Sequence, residues 1–277
     1  MHAILELREV LLSVAERHID VAMPSQTFLQ HAQPTSFGHW FGMWSVVLER
    51  DTARMRAVFE RINESPAGAG ILTGSDFAVD RYRTAELLGF SRPLANTWDA
   101  ILSHDTGLEA ISTVATFWTS LARLADDIEY WSATEVGMLD IPDRFCDTSS
   151  VMPQKRNPSL PQQLKAQAAK AVGAMTTAYI AEKGPTGGPM LERNEADRLL
   201  WELLDAVPPL TRNLGRMLEA LAPNTVRMRQ LAAGHWATAS DLAGLLVRQA
   251  ACRGGAHIRS SGYWCGCARN EVFVLKG

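Results

Sequence analysis

The sequence predicts an all-α protein built around an elongated central helical bundle. Apolar residues recur at three- and four-residue steps through most of the chain, which is the spacing of one helix face. Several patterned stretches run for roughly 25 to 35 residues, which favours an elongated bundle over a globin-like ball. We find no convincing alternating strand of useful length. Helices this long expose more apolar stripe than one chain can cover, so we also expect an oligomer.

The helices follow the apolar pattern in order. Helical spacing predicts helices over residues 4–19, 36–63, 80–88, 96–131, 159–183 and 195–221. The third ends at Gly89, because glycine readily takes the left-handed backbone that stops a helix. The last is expected to bend or break near Pro208 and Pro209, since proline lacks the N–H that a helix interior needs. Ser159 is expected to cap the helix that follows Pro158.

The composition excludes several classes of protein. With 277 residues and 47% hydrophobic content, the chain can bury a sizeable core and is not intrinsically disordered. A formal net charge of −3 gives no electrostatic case for nucleic acid or an anionic membrane. No apolar run approaches the roughly 20 residues of a membrane helix, and the charged start does not resemble a signal peptide. Four cysteines argue against a disulfide framework and favour a reducing cytoplasm.

One loop, residues 141–158, concentrates groups that can carry chemistry. It reads IPDRFCDTSSVMPQKRNP and brings hydroxyl, ammonium, guanidinium and amide groups close together. Lys155 and Asn157 can hold a carboxylate through charge and hydrogen bonds. A serine beside such cations loses its proton more easily than usual and can act as a base or a nucleophile. On composition alone, a solvated turn leading into a helix fits the same residues, so both interpretations stay open.

One cluster of acidic residues has the side-chain chemistry of a metal site. Asp126, Asp127 and Glu129 lie together on the predicted central helix. No histidine stands at ligand spacing from them, so we expect no metal site there and instead a solvated or salt-bridged face.

The segment TSSVMPQKRNP resembles the signature loop of the fumarase/aspartase superfamily, GSSxMPxKxNP, with Thr148 at the leading glycine. Three further segments resemble the argininosuccinate lyase branch, and the likeness extends to about Gln249. They are TFLQHAQPTSFGHW (27–40), GAGILTGSDFAVDR (68–81) and NTWDAILSHDTGLEAIS (96–112).

This resemblance implies an all-α fold, a homotetramer, and active sites assembled from three subunits. It implies reversible β-elimination of fumarate from argininosuccinate or another N-substituted aspartate, and with it a role in arginine biosynthesis. Neither a metal nor an organic cofactor is implied. The expected partners are a small N-succinyl-type substrate and fumarate, with no nucleic acid and no membrane.

The resemblance also implies roles for individual residues. Ser149 matches the base that removes the proton beside a carboxylate, while Lys155 holds the substrate carboxylate and the developing dianion. The substrate-binding positions are Thr27, Gln30, Gln33, Asn96, Ser150, Met152 and Asn157. Met152 and Pro153 shape a mobile loop that closes over the substrate and excludes water.

Two substitutions depart from the family pattern. Phe28 stands where the second motif has its catalytic histidine, and Gln162 stands where the signature is followed by that histidine's glutamate partner. Replacement of both the histidine and the glutamate is consistent, because a buried glutamate carboxylate that faced Phe28 without a histidine partner would cost free energy. The general acid is left unidentified, with His31 as the first suspect. A non-catalytic helical oligomer that retains the fold is therefore the alternative function.

The domain prediction follows the same resemblance. Residues 1–234 are expected to form the central bundle, without the family's N-terminal domain, and 235–277 a remnant of the C-terminal helical domain. From about Ala251 the sequence loses its periodicity and holds three of the four cysteines. Back-translation in a shifted frame yields a segment resembling the family's continuation. We expect the tail from Ala251 to be the product of a shifted reading frame, with a divergent native tail as the alternative.

Overall fold

The structure is a computed structural model that describes residues 1–185, 187, 190–234 and 237–248, together with three strands nearer the C-terminus. The expected change of reading frame at Ala251 falls outside the described residues. The chain divides into two compact units. The first comprises residues 1–14 and 41–222, and the second comprises residues 15–40 and 223–277.

Helices make up most of the described chain, so the all-α prediction is confirmed. They are α1 (His2–Arg17), α2 (Phe37–Ile62), α3 (Arg81–Leu88), α4 (Asp99–Leu102), α5 (Asp105–Ser132), α6 (Ser159–Ala181), α7 (Met190–Asp205), α8 (Val207–Ala220), α9 (Thr225–Ala233) and α10 (Ala239–Arg248). A short 3-10 helix covers Asp143–Phe145. Among the described residues, no helix combines the length and the apolar character that crossing a membrane requires.

Short strands accompany the helices, so the expectation of no useful strand was wrong. They are β1 (Ala22–Thr27), β2 (Gln30–Ser36), β3 (Glu64–Ser65), β4 (Arg92–Pro93), β5 (Leu139–Asp140), β6 (Cys146–Thr148), β7 (Arg156–Pro158), β8 (Ala222–Pro223), β9 (His257–Arg259), β10 (Tyr263–Ala268) and β11 (Glu271–Lys276). The longer pair, β1 and β2, escaped prediction because burial does not alternate along either strand. The last three strands form an antiparallel sheet in the order β11-β10-β9, within the segment expected to be aperiodic.

The core of the first unit is built on α5 and α6. The buried face of α5 repeats at helical spacing and includes two large side chains, Phe117 and Trp118, with no exposed surface. Burying a side chain of this size contributes roughly 1.5–3 kcal/mol. The facing side of α6 is lined by small residues, which allow close approach of the helices; they are Ala168, Ala171, Ala174, Ala178 and Ala181. Helix α7 packs on both α5 and α6.

The predicted helix over residues 96–131 is interrupted, so that prediction was wrong. Ser103 has extended backbone (φ −89°, ψ 136°), which ends α4, and α5 begins at Asp105. Apolar periodicity missed this break because the hydrophobic pattern continues across it. The break in the last predicted helix is confirmed, since Pro208 lies in the first turn of α8, where backbone N–H groups have no helical partner.

The ends of two other helices show how well local signals work. Asp80 caps α3 by accepting hydrogen bonds from the Tyr82 and Arg83 N–H groups, and Gly89 stops the helix with φ 80°. By contrast, Ser159 does not cap α6, so that prediction was wrong. It is the first helical residue, and its hydroxyl donates to the Phe145 carbonyl 3.2 Å away.

Candidate active site

The signature motif forms a β-hairpin in the first unit. Strands β6 and β7 pair antiparallel, with Asp147 opposite Asn157 and Thr148 opposite Arg156. Residues 149–155 make the tip of this hairpin, and α6 starts directly after β7. The motif therefore occupies the exposed end of a hairpin whose base is continuous with a core helix.

Ser149 is held in a turn at the start of the tip. Its hydroxyl oxygen accepts hydrogen bonds from the Val151 and Met152 N–H groups, at 3.2 and 3.1 Å. Ser149 is half-buried, whereas Ser150 beside it is exposed. Hydrogen bonds donated to an oxygen stabilise its anionic form, so this arrangement favours loss of the Ser149 proton.

The rest of the tip is a second turn that presents Lys155. The Lys155 N–H donates to the Met152 carbonyl at 3.0 Å, and Pro153 between them supplies the backbone angle that such a turn needs. The Lys155 side chain is exposed, and within the described part of the chain its ammonium has no ion-pair partner. Val151 is 84% exposed beside it. The tip thus offers a cation and an apolar surface to a ligand.

The base of the hairpin is anchored through Arg156. Its guanidinium pairs with Asp140 at 2.8 Å and Asp143 at 2.7 Å, and it donates a further hydrogen bond to the Ile141 carbonyl. The hydrogen bond to Asp140 is the main reason that the pKa of Arg156 is raised. Burial raises the pKa of the neighbouring Cys146 thiol, which makes it a poor nucleophile.

An open cleft of about 620 Å³ lies beside the hairpin base. Its lining includes Glu129, Ser132, Asp140, Cys146, Arg156 and Pro158. Glu129 reaches it from α5, so the cleft joins the hairpin to the central helix.

The first turns of α6 are tied to α5 by a polar cluster. The Gln162 amide donates to Glu129, and Lys165 pairs with Glu129 and with Asp126, the latter at 3.2 Å. The Glu129 carboxylate is the main cause of the raised pKa of Lys165. The salt-bridged face expected for this acidic cluster is confirmed, and no metal-binding group of His, Cys, Asp and Glu occurs among the described residues.

Asn96, in the same unit, has a structural contact. Its side-chain oxygen accepts hydrogen bonds from the Trp98 and Asp99 N–H groups, at 2.8 and 3.3 Å. The hydroxyl of the next residue, Thr97, donates a hydrogen bond to the carbonyl of Leu72, which lies in the loop between β3 and α3, at 2.5 Å. Within the described residues, no hydrogen bond joins Asn96 to the signature hairpin.

The other predicted site residues lie in the second unit, on the β1–β2 hairpin. Thr27 pairs with Gln30 across a turn formed by Phe28 and Leu29, both in the left-handed region with φ 53° and 58°. The Phe28 side chain is 99% exposed. The Gln33 amide donates to the Ser240 hydroxyl at 2.8 Å, so this side chain is engaged with α10.

Sequence reasoning did not identify the residues that hold the hairpin, namely Arg156, Asp140 and Asp143. Arg156 lies inside the motif, but its carboxylate partners stand 13 and 16 residues before it. No local spacing rule connects them.

Comparison with known proteins shows the family of this chain. A sequence profile described as "Lyase" matches residues 1–173, more than half of the chain. The chain belongs to this lyase family. Within the fumarase/aspartase superfamily, the chain is similar to the argininosuccinate lyase of Nitrosococcus oceani, 36% identical over 251 residues. That alignment covers 91% of this chain but 54% of the relative. The argininosuccinate lyase of Psychrobacter cryohalolentis is also 36% identical, with 92% and 56% coverage.

Solved structures share the fold of this chain. A variant of EDDS lyase with bound fumarate is 30% identical and superposes with a TM-score of 0.81, covering 90% of this chain and 49% of that one. A class II fumarase from Schistosoma mansoni, 19% identical, shares the fold with a TM-score of 0.73, over 90% of this chain and 59% of that one. The chain thus spans about half the length of the argininosuccinate lyases that it matches.

Proposed function

We propose that this lyase eliminates fumarate reversibly from argininosuccinate or a related N-substituted aspartate. The observation that carries the proposal is the hairpin tip. There the Ser149 oxygen accepts hydrogen bonds from two backbone N–H groups, and in the same turn region the Lys155 ammonium has no ion-pair partner among the described residues.

In the proposed reaction, Ser149 is the general base. It removes a proton from the carbon beside a carboxylate, and the electron pair moves into that carboxylate to give an aci-carboxylate dianion. Lys155 and Asn157 hold this dianion through charge and hydrogen bonds. The dianion then collapses, the carbon–nitrogen bond breaks, and the nitrogen leaves with its electron pair to complete fumarate. No metal or organic cofactor enters this scheme.

Substrate binding is proposed for Thr27, Gln30, Gln33, Asn96, Ser150 and Met152. Asn96 retains its amide N–H groups for a ligand, because only its oxygen serves the turn. The proton for the leaving nitrogen needs another donor, since Phe28 and Gln162 cannot supply one. His31, opposite Gln26 in the β1–β2 hairpin, is the proposed acid.

We propose a role in arginine biosynthesis, which the similarity to argininosuccinate lyases supports. We also propose a cytoplasmic location, a homotetramer, a bundle domain over residues 1–234 and part of a C-terminal helical domain over 235–277. Fumarate bound to the structurally similar EDDS lyase variant supports fumarate as the shared product.

A non-catalytic helical oligomer is the second candidate. It is favoured by Phe28, which is fully exposed at a turn, and by Gln162, whose amide is engaged with Glu129. Neither residue can take part in a proton transfer. The intact hairpin tip opposes this candidate.

The deciding experiment follows fumarate by its ultraviolet absorbance. The purified chain is incubated with argininosuccinate and a panel of other N-succinyl amino compounds, and separately with fumarate and amines for the reverse reaction. Our proposal expects one compound to give fumarate in proportion to enzyme concentration. If no compound reacts and calorimetry detects no binding of fumarate, the non-catalytic candidate is correct.

A further inference from the structure

Arg156 stands between the two residues proposed to hold the substrate, yet its side chain binds the protein. Lys155, Arg156 and Asn157 are consecutive, and β7 begins at Arg156. In extended backbone, successive side chains point to opposite faces. Within β7 the side chains of Arg156 and Asn157 therefore lie on opposite faces, and Lys155 directly precedes the strand at the end of the turn.

We propose that Arg156 is a positioning residue, which fixes one face of the hairpin to the protein and so turns Lys155 and Asn157 toward the substrate. This inference rests on the proposed function. It assigns a role to a position that the signature pattern leaves unspecified.

The contacts of Arg156 are suited to fixing an orientation. The guanidinium binds two carboxylates, Asp140 at 2.8 Å and Asp143 at 2.7 Å, and the Ile141 carbonyl. A planar guanidinium with three separate acceptors has far less rotational freedom than an ammonium in the same place. All three acceptors lie in residues 140–143, just before β6, so one side chain ties β7 to the segment that leads into the hairpin.

The same contacts control the charge around Lys155. Asp140, Asp143 and Asp147 give the hairpin base an acidic surround. Arg156 engages the first two, and the described residues show no carboxylate paired with Lys155. A lysine already paired with an aspartate would have to break that pair before binding a substrate carboxylate. In this proposal, Arg156 fixes the strand that follows Lys155 and engages two carboxylates of the segment before the hairpin.

The test compares Arg156→Ala and Arg156→Lys with a matched control, Arg144→Ala. Arg144 is a nearby exposed arginine whose guanidinium carbon lies 5.0 Å from the centroid of the Phe145 ring. Replacing it with alanine removes the same charge as Arg156→Ala. Hydrogen exchange of the amides in residues 146–158 measures anchoring without requiring activity. The fumarate dissociation constant and the separate kcat and KM values measure positioning.

For Arg156→Ala we expect amide exchange in the hairpin to accelerate about tenfold or more, and KM and the fumarate dissociation constant to rise about tenfold, with a smaller fall in kcat. Arg156→Lys should recover part of each effect, and Arg144→Ala should change none. Asp140→Asn with Asp143→Asn should reproduce the loss, and adding Arg156→Ala to that pair should add little.

The inference is overturned if hairpin exchange is unchanged in Arg156→Ala, or if exchange accelerates while fumarate affinity and KM stay the same. The second result would make Arg156 merely structural. Should Arg156→Ala fail to fold, as judged by circular dichroism, Arg156→Lys decides by the same measurements. If the unsubstituted chain neither reacts nor binds fumarate, the proposed function is wrong, and the positioning role of Arg156 is wrong as well. Hydrogen exchange would still report separately on the anchor.

Discussion

Two β-hairpins carry nearly all the predicted site residues, and they are built in opposite ways. The β1–β2 hairpin closes through Phe28 and Leu29 alone, two bulky residues with left-handed backbone. The β6–β7 hairpin closes through residues 149–155, in which Ser149 and Pro153 organise successive turns. The tip of the first hairpin has strained backbone at Phe28 and Leu29. The tip of the second is a longer loop held by local hydrogen bonds, and its base is anchored by Arg156.

The difference shows two physical routes to presenting side chains at a hairpin tip. A two-residue turn of this kind favours Asn-Gly, so Phe28 and Leu29 each cost roughly 1–3 kcal/mol of strain. Strain of that size persists only where the surrounding structure maintains it. A longer loop costs chain entropy instead, and in β6–β7 the local hydrogen bonds of Ser149 offset part of that cost.

The largest expected effect concerns the anchored hairpin. Ser149→Ala should lower turnover by about 10²–10⁴-fold, because the proposed base is removed. Fumarate binding should persist through Lys155 and Asn157. The fumarate absorbance assay measures turnover, and calorimetry measures binding. Ser120→Ala, at a half-buried serine of α5, is the control. Undiminished turnover in Ser149→Ala would remove Ser149 from its proposed role.

The strained hairpin predicts a gain in stability. Phe28→Asn combined with Leu29→Gly should raise the free energy of unfolding by about 1–3 kcal/mol, since both residues accept left-handed backbone. Urea unfolding provides the measurement. Phe28→Leu is the control, because it keeps a bulky side chain on the same backbone. Equal stability of the double variant and the unsubstituted chain would mean that this turn is not strained.

A smaller effect concerns the first turn of α6, which follows the β6–β7 hairpin and contacts α5. Gln162→Glu should destabilise the chain by about 1 kcal/mol near pH 7, because it places a second carboxylate against Glu129 and removes a hydrogen bond. The loss should shrink in acid, as carboxylates become protonated and their repulsion weakens. Unfolding curves at two pH values measure this. Gln163→Glu adds the same charge at an exposed neighbour and should have little effect.

The smallest effect concerns the base of the strained hairpin. The half-buried His18 ring packs on Phe37 with centroids 5.6 Å apart. Burial, and secondarily the charge of Arg17, lowers the pKa of His18 from its ordinary 6.5. The unfolded chain then binds more protons than the folded chain below that value, so stability should fall as the pH drops through 6.5. Unfolding measured at several pH values should show a shallower slope in His18→Gln, and identical slopes would contradict this role.

The secondary structure of some regions could be predicted from the sequence and that of others could not, for physical reasons. The α3 helix, its Asp80 cap and its Gly89 stop were predictable, because each signal acts within a few residues. The division between α4 and α5 was not, because apolar spacing continues past the extended residue Ser103. The β1–β2 hairpin lacked both alternation and a recognisable turn sequence.

The candidate site divides in the same manner. The motif around Ser149 and Lys155 could be found from the sequence, since its residues are contiguous and their spacing is distinctive. The partners of that motif could not, because Asp140 and Asp143 reach Arg156 only when the chain folds back into the hairpin. The engagement of Gln162 with Glu129 likewise joins two helices.

By itself, the sequence determined that this protein is helical and that it belongs with the fumarase/aspartase lyases, and it predicted which loop carries the chemistry. These properties are written in local periodicity and in one contiguous motif. Tertiary structure alone decided that the motif is a hairpin, that Arg156 holds one face of it, and that Lys155 has no protein carboxylate partner among the described residues. Those outcomes depend on pairings between residues far apart in the chain, which only the packed fold brings within hydrogen-bonding distance.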